Sequence, residues 1–332
     1  MKAALKYDPK DAQNFDNGVF WIDYDSMCEF FDVIYMNWNP ELFKHSYSIH
    51  NMWKAGLGPS KDMYTMSSNP QYLLDLKIQQ GASSGAVWIL LSRHITDIED
   101  FKNNREYITL LVYNSGGKKV YYPYDPPPII DGVRINSPHY LCKIEVGPKT
   151  PKKMTLVVSQ YEKTTTIYYT IKVYSTFPFD LKRIPSDAYK YKQDVTGKWA
   201  GKSAGGCGNY KETYPNNPRY QFAVDHECQL LIELKGPKQY QIGFDLVALH
   251  HPNNPDKSHP NYFKLKQSGP YRSGYVVLGL EDVRNFVPTI FRPGQESAFF
   301  LSVKSSTSIK LLNIQGVPEK KRQTLISWIV TQ

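Results

Sequence analysis

Gly201-Lys202-Ser203-Ala204-Gly205 satisfies the glycine-x-serine-x-glycine pattern, in which a sharp turn between a strand and a helix exposes a nucleophilic serine. Here Gly206, Cys207 and Gly208 follow, too glycine-rich to start a helix, so the pattern is expected to be a structural turn and not a hydrolase elbow. Gly201-Lys202-Ser203 also resembles the end of a phosphate loop, but the earlier glycine would have to stand at Thr196, and Gly197 is one place off. Cys207 would need a nearby histidine base to act as a thiolate nucleophile; in a glycine-rich loop it is expected to be structural. His250, His251, Asp256 and His259 carry nitrogen and oxygen donors suited to a metal, but their proline- and asparagine-rich segment reads as a surface insertion. Asp97, Glu99 and Asp100 are the densest carboxylates, and a solvated turn is expected there in place of a calcium loop.

The elements that would position these groups are short. Gly18 to Ile22 and Val33 to Trp38 read as strands flanking a helix capped by Asp25, with Tyr24, Met27, Cys28 and Phe31 on one face. Such a piece cannot cover its own apolar faces, and exposed Phe20, Trp21, Phe30 and Phe31 would invite aggregation, so a partner layer is required. From about residue 70 the texture changes to β-type runs separated by Gly, Pro and Asn clusters: Ala86 to Leu91, Tyr107 to Tyr113, Met154 to Gln160 and Ile167 to Tyr174. In the last of these, Ile167, Tyr169, Ile171 and Val173 fall on one face. The Tyr124 to Pro128 loop, with three consecutive prolines, cannot enter a central strand.

An internal repeat organises the chain. Trp53, Ala55 and Gly56, then Asn69-Pro70-Gln71-Tyr72, recur as Trp199-Ala200-Gly201, then Asn217-Pro218-Arg219-Tyr220. Later in each copy, Ile167-Tyr168-Tyr169 is matched with Ala298-Phe299-Phe300. The expectation is two copies of one antiparallel β-sandwich, joined by an exposed connection around Pro185.

Composition narrows the classes. The chain has 332 residues, 41% of them apolar and 25 of them tyrosine, which suits globular domains and excludes collagen-like and low-complexity chains. No apolar run approaches the roughly 18 residues of a spanning helix, and the opening is too polar for a signal peptide. The net charge of +9 is dispersed, so nucleic acid is not an expected partner. Lys118, Lys119, Lys152 and Lys153 form the candidate docking surface. Cys28, Cys142, Cys207 and Cys228 form no close pair and are expected as reduced thiols.

The segment from Thr196 to Tyr220, running through Gly197-Lys198-Trp199 and Ser203-Ala204-Gly205-Gly206-Cys207, resembles the entry motif of the calpain-type β-sandwich, the regulatory domain III of the calpain proteases. Val287-Pro288-Thr289-Ile290-Phe291 with Pro293-Gly294-Gln295-Glu296 is similar to that domain's later signature. Gly18-Val19-Phe20-Trp21-Ile22 resembles the last strand of the protease core, and the Ser92 to Asp97 segment and the Tyr122 to Pro128 loop look most like the PalB-type subfamily. The resemblance covers about residues 5 to 315. It implies a mainly β chain: a C-terminal remnant of the papain-like protease core at 1–44, a first sandwich at 45–178, a linker at 179–195, a second sandwich at 196–315 and an unmatched tail at 316–332.

Calpains cut peptides with a cysteine, a histidine and an asparagine in an asparagine-proline-tryptophan motif lying before the strand matched by Gly18 to Ile22. Asn39-Pro40 is followed by Glu41 and lies beyond that strand, so no catalytic residue is assigned and the chain is expected not to be an enzyme by itself. The long acidic loop of conventional domain III is lacking, and no cofactor or metal is expected. The resemblance implies a non-catalytic regulatory and docking half of an intracellular cysteine endopeptidase, cytoplasmic or endosome-associated. Its expected partners are the protease core in cis, and proteins of the endosomal sorting machinery or anionic lipid. The alternative is a stand-alone lipid- or protein-binding sandwich module.

Overall fold

A computed structural model of the chain describes residues 20–32, 34, 37–58, 64–78, 84–103, 107–160, 163–185, 189–249, 263–291 and 297–312. It divides into two units, Met1–Leu42 and Phe43–Gln332. In the first unit, α1 (Tyr24–Phe30) is capped by Asp23 and not by Asp25. The Asp23 carboxylate accepts from the Ser26 backbone N–H at 2.9 Å and from the Ser26 hydroxyl at 2.7 Å. A cap side chain serves an amide two or three residues on from just outside the helix, and Asp25 already lies in the first turn. The strands expected on either side are absent at Phe20–Ile22 and at Ile34, Asn37 and Trp38. A strand needs a neighbour for its backbone groups, and none is found among the described residues of this unit. Gly18, Val19, Val33, Tyr35 and Met36 lie outside the described residues.

The second unit opens with a sandwich of nine strands: β1 (His45–Trp53), β2 (Gln71–Leu76), β3 (Gly85–Arg93), β4 (Thr109–Tyr113), β5 (Ile130–Asp131), β6 (His139–Val146), β7 (Lys153–Ser159), β8 (Ile167–Ser175) and β9 (Phe179–Ile184), with the short helix α2 (Ile98–Lys102) between β3 and β4. One sheet has the order β1-β8-β3-β6 and the other β5-β4-β7-β2-β9. The alternation in β8 places Ile167, Tyr169, Ile171 and Val173 in the core, as their period of two requires. They pack on Tyr72, Leu74, Leu110, Val112, Leu156 and Val158 of the facing sheet.

A second set of strands follows: β10 (Tyr191–Trp199), β11 (Gln221–Lys235), β12 (Gln241–Leu249), β13 (Phe263–Gln267), β14 (Arg272–Ser273), β15 (Tyr275–Phe291), β16 (Ser297–Ser305) and β17 (Ile309–Leu312). Here the layers form one continuous antiparallel sheet, because β11 and β15 are long enough to serve both. β11 pairs with β17 near its start and with β16 over its second half, with register shifts between Ala223 and Leu230 where it bends from one layer to the other. Trp199, Phe222, Leu230, Ile232, Phe244 and Leu301 fill the space between.

The repeat is real in three dimensions, with one adjustment of register. Trp53 lies opposite Ile167, and Trp199 lies opposite Ser297. Tyr169 therefore corresponds to Phe299, not to Phe300 as the matched triplets place it. The packing agrees: the Tyr72 and Tyr169 hydroxyls meet at 2.8 Å across the first sandwich, and the Tyr220 and Phe299 rings meet edge-on at 6.2 Å across the second. A slip of one residue would turn Phe299 outward. The stretch expected as a linker is mostly strand. β9 pairs with β2 along its whole length, anchored by buried Leu181, and β10 pairs with β16, which leaves only residues 185–190 between the two.

Candidate functional site

The pattern around Ser203 is a closed turn. Gly201–Ser203 is a single 3-10 turn, and the Ser203 hydroxyl donates to the Ala200 carbonyl at 2.8 Å while accepting from the Ala200 N–H at 2.9 Å. The Ser203 hydroxyl gives its proton to the Ala200 carbonyl and not to a base, which is the bonding of a turn and not of an activated nucleophile. The motif's last glycine has a packing reason: a Cβ at Gly205 would collide with the Thr213 carbonyl oxygen. Gly205→Ala is expected to lower stability by about 2 kcal/mol through this forced shift. Ser203→Ala, which removes only the local turn bonds, is expected to cost less than half of that, as a denaturant midpoint would show.

Cys28 is exposed, and the other three thiols are built into packing. Cys142 belongs to the first core, where burial pushes its pKa up to about 12. Cys228 accepts from the Ser305 hydroxyl at 3.3 Å inside the second core, and Cys207 is buried. Asp97, Glu99 and Asp100 do not converge. The Asp100 carboxyl is held below the usual range by the Thr96 backbone N–H at 3.0 Å and by Arg93 at 2.9 Å, while Asp97 accepts from the Asp100 N–H at 2.7 Å. Asp100 thus ties the loop to the buried Arg93 guanidinium, while Glu99 pairs with Lys102 at 3.5 Å. His250, His251, Asp256 and His259 lie outside the described residues, as do Pro293 to Glu296 and the tail at 316–332. Among the described residues, no group of three or more His, Cys, Asp or Glu is placed to hold a metal ion.

The four lysines expected as a docking surface separate into two sets. Lys118, Lys152 and Lys153 are exposed at one end of the five-stranded sheet. Thr155 connects them, because its hydroxyl donates to the Lys118 carbonyl at 2.8 Å from a strand that begins at Lys153. Lys119 instead turns toward the second sandwich and lines a cleft with Lys192, Lys235 and Lys304. Gln71 fixes the backbone beneath it: the buried Gln71 amide donates to the Met66 and Val120 carbonyls at 3.0 and 2.7 Å and accepts from the Val120 N–H at 2.8 Å.

That cleft is one edge of a seam between the sandwiches, where the Tyr122 to Pro128 loop meets residues of the second sandwich that the sequence does not mark. The Tyr122 hydroxyl accepts from the Val277 N–H at 2.9 Å, and its ring lies 3.9 Å from the Arg272 guanidinium carbon. Arg272 also pairs with Asp125. The Tyr122 and Tyr275 rings meet edge-on at 5.9 Å, and Lys238 stands over Tyr64 at 5.1 Å. Behind Tyr122 lies a buried triad. The Tyr275 hydroxyl donates to Glu233 Oε1 at 2.6 Å, and Lys304 Nζ reaches Glu233 Oε2 at 3.0 Å. Burial alone would raise the Glu233 pKa, but the Tyr275 hydroxyl and the Lys304 ammonium outweigh it and hold the carboxyl below its usual range. Burial and the Glu233 carboxylate push Tyr275 well above the ordinary tyrosine value. Beyond that loop and Lys119, the trace of this seam in the sequence is the excess of tyrosine, 25 residues whose rings can pack while their hydroxyls bond.

Two sandwiches of equivalent core register, joined by a polar seam, define a tandem β-sandwich of the calpain domain III type. Residues 195–303 match the family described as calpain large subunit, domain III. The chain is 52% identical over 319 residues to calpain-7 of Mus musculus and 51% identical over 319 residues to calpain-7 of Homo sapiens, covering 95% of this chain in each case. It is 25% identical over 334 residues to the calpain-like protease palB/RIM13 of Aspergillus oryzae, covering 96% of this chain. The chain spans 38% of the length of the calpain-7 relatives and 37% of the fungal one. By sequence the chain is similar to the calpain family, on the calpain-7 and PalB side of it.

Proposed function

We propose that this chain is the regulatory and docking C-terminal half of a calpain-7-like cysteine endopeptidase and hydrolyses no peptide bond by itself. The observation that carries the reading is the 52% identity over 95% of the chain to a relative of which it spans 38%. The exposed aromatics of the first unit support it: Phe20 is 68% and Trp21 63% exposed, with Tyr24 and Phe30 also open, a surface suited to burial against a protease core. The sandwiches would then act as an arm whose geometry the seam sets, carrying substrate or partner surfaces toward that core.

The purified chain is expected to leave a calpain peptide substrate intact. Turnover that a thiol alkylator blocks would overturn the reading. Added to a separately produced protease portion of a calpain-7 relative, the chain is expected to bind it, and Trp21→Ala with Phe30→Ala is expected to weaken that binding at least tenfold, the loss of two aromatic anchors. A second reading, a module for anionic lipid or for proteins of the endosomal sorting machinery, draws on the exposed Lys118, Lys152 and Lys153 at one sheet end.

A further inference from the structure

Where the two sandwiches meet, beside the buried triad, lies a cavity of about 150 Å³ lined by Lys119 from the first and by Lys192, Glu233, Lys235, Ser302 and Lys304 from the second. Its second-sandwich wall is the outer face of three neighbouring strands. Ser302 stands opposite Glu233 on β11 and opposite Asp194 on β10, and Lys304 stands opposite Lys192. The period of two points Phe300, Ser302 and Lys304 the same way, into the cleft.

Two observations mark this cleft as a site. Ser302 is 3% exposed, and its Oγ is buried with no hydrogen-bond partner. A hydroxyl in that state is costly unless something accepts from it or donates to it. The second observation is charge. Four lysines face one glutamate, a lining charge of +3 that falls to +2 when Asp194, which holds Lys192 at 2.7 Å, is included. Glu233 does not repel an anion freely, because both of its oxygens are taken, one by Tyr275 and one by Lys304. The donors come from different directions: Lys119 from a loop of the first sandwich, Lys235 from the end of β11 and Ser302 from the floor. A planar carboxylate suits a two-pronged donor, whereas donors spread in space with a charge of +2 suit a doubly charged tetrahedral oxyanion.

We infer that this cleft binds a phosphate monoester, its oxygens accepting from the Ser302 hydroxyl and from the ammonium groups of Lys119 and Lys235, and that occupancy clamps the two sandwiches together. The site is distinct from the exposed Lys118, Lys152 and Lys153, and it does not depend on the protease reading.

The test uses the full chain with three probes: inorganic phosphate, soluble inositol trisphosphate, and phosphatidylcholine vesicles with or without a phosphatidylinositol bisphosphate. Calorimetric titration is expected to give saturable binding of the soluble phosphates with a raised melting temperature. Lys235→Met, Lys119→Met and Ser302→Ala are each expected to weaken binding about tenfold. Lys235 is exposed, so its replacement tests the site even where Ser302→Ala disturbs folding. Lys152→Met with Lys153→Met is expected to leave the affinity unchanged. Vesicle binding that needs the phosphoinositide and is lost in Lys235→Met would assign the headgroup as the source of the phosphate, whereas binding of the soluble probes alone assigns a free phosphate. The inference is overturned by no binding of any probe at millimolar concentration, or by binding that survives the three cleft variants and is lost with Lys152 and Lys153.

Discussion

Replacing Trp199 with alanine is expected to destabilise the second sandwich by about 4 kcal/mol, the largest single effect any core residue here should give. Trp199 is fully buried, its ring centroid lies 4.7 Å from that of Phe299, and it closes the edge where β10 meets β16. The neighbouring backbone leaves little room to collapse into the void, since even a Cβ on Gly236 would already touch the indole. Guanidinium unfolding followed by fluorescence would check this, and an unchanged midpoint would sink it. Trp53 holds the same place in the first sandwich with different support. Its indole N–H donates to the Leu57 carbonyl at 2.9 Å, and Lys163 lies over the ring while donating to the Lys54 and Ala55 carbonyls at 2.8 and 2.6 Å. Two copies of one fold thus keep the tryptophan and differ in what closes over it.

Replacing Glu233 with alanine is expected to cost about 3 kcal/mol, because it strands a partly buried ammonium and a buried phenol together. Glu233→Gln, which keeps an acceptor for Tyr275, should cost less. The loss should concentrate at the seam: hydrogen exchange at the Val277 amide, which donates to Tyr122, is expected to rise in the alanine variant while the core of the first sandwich stays protected. Acid acts on the same group. The folded Glu233 pKa lies below its unfolded value, so its contribution is fully present above the unfolded value of about 4.3 and is lost as pH falls through the lower folded one. Seam opening near neutral pH would contradict this assignment.

Much of the fold is legible in the residues because its signals are local. The alternation of Ile167, Tyr169, Ile171 and Val173 specifies a strand with one buried face, and the recurrence of Trp53 and Asn69 as Trp199 and Asn217 specifies a duplicated unit. The misses are also physical. The matched triplets slipped by one because Phe299 and Phe300 are both aromatic, and only the pairing of Trp199 with Ser297 decides which faces inward. The connection at 179–195 looks polar because β9 buries only Leu181 and β10 buries only Trp199, which lies beyond that stretch. The pairing across the seam had no sequence signature beyond the excess of tyrosine: Tyr122 and Arg272 stand far apart in the chain, and nothing in the spacing of either announces the other. Gly201 to Gly205 erred in the opposite direction, a chemical pattern produced by the needs of a tight turn.

The two sandwiches should also differ in how they come apart. In the first, the layers share a core but no strand, so one sheet can loosen while the ladders of the other stay closed. In the second, β11 and β15 run through both layers, and a pull on Gln221 in one is carried along unbroken backbone to Lys235 in the other. Mechanical load entering that domain is expected to reach both layers together, with the irregular stretch between Ala223 and Leu230 as the place where β11 gives. The second sandwich is expected to yield as one piece, and the first to be the more compliant of the pair.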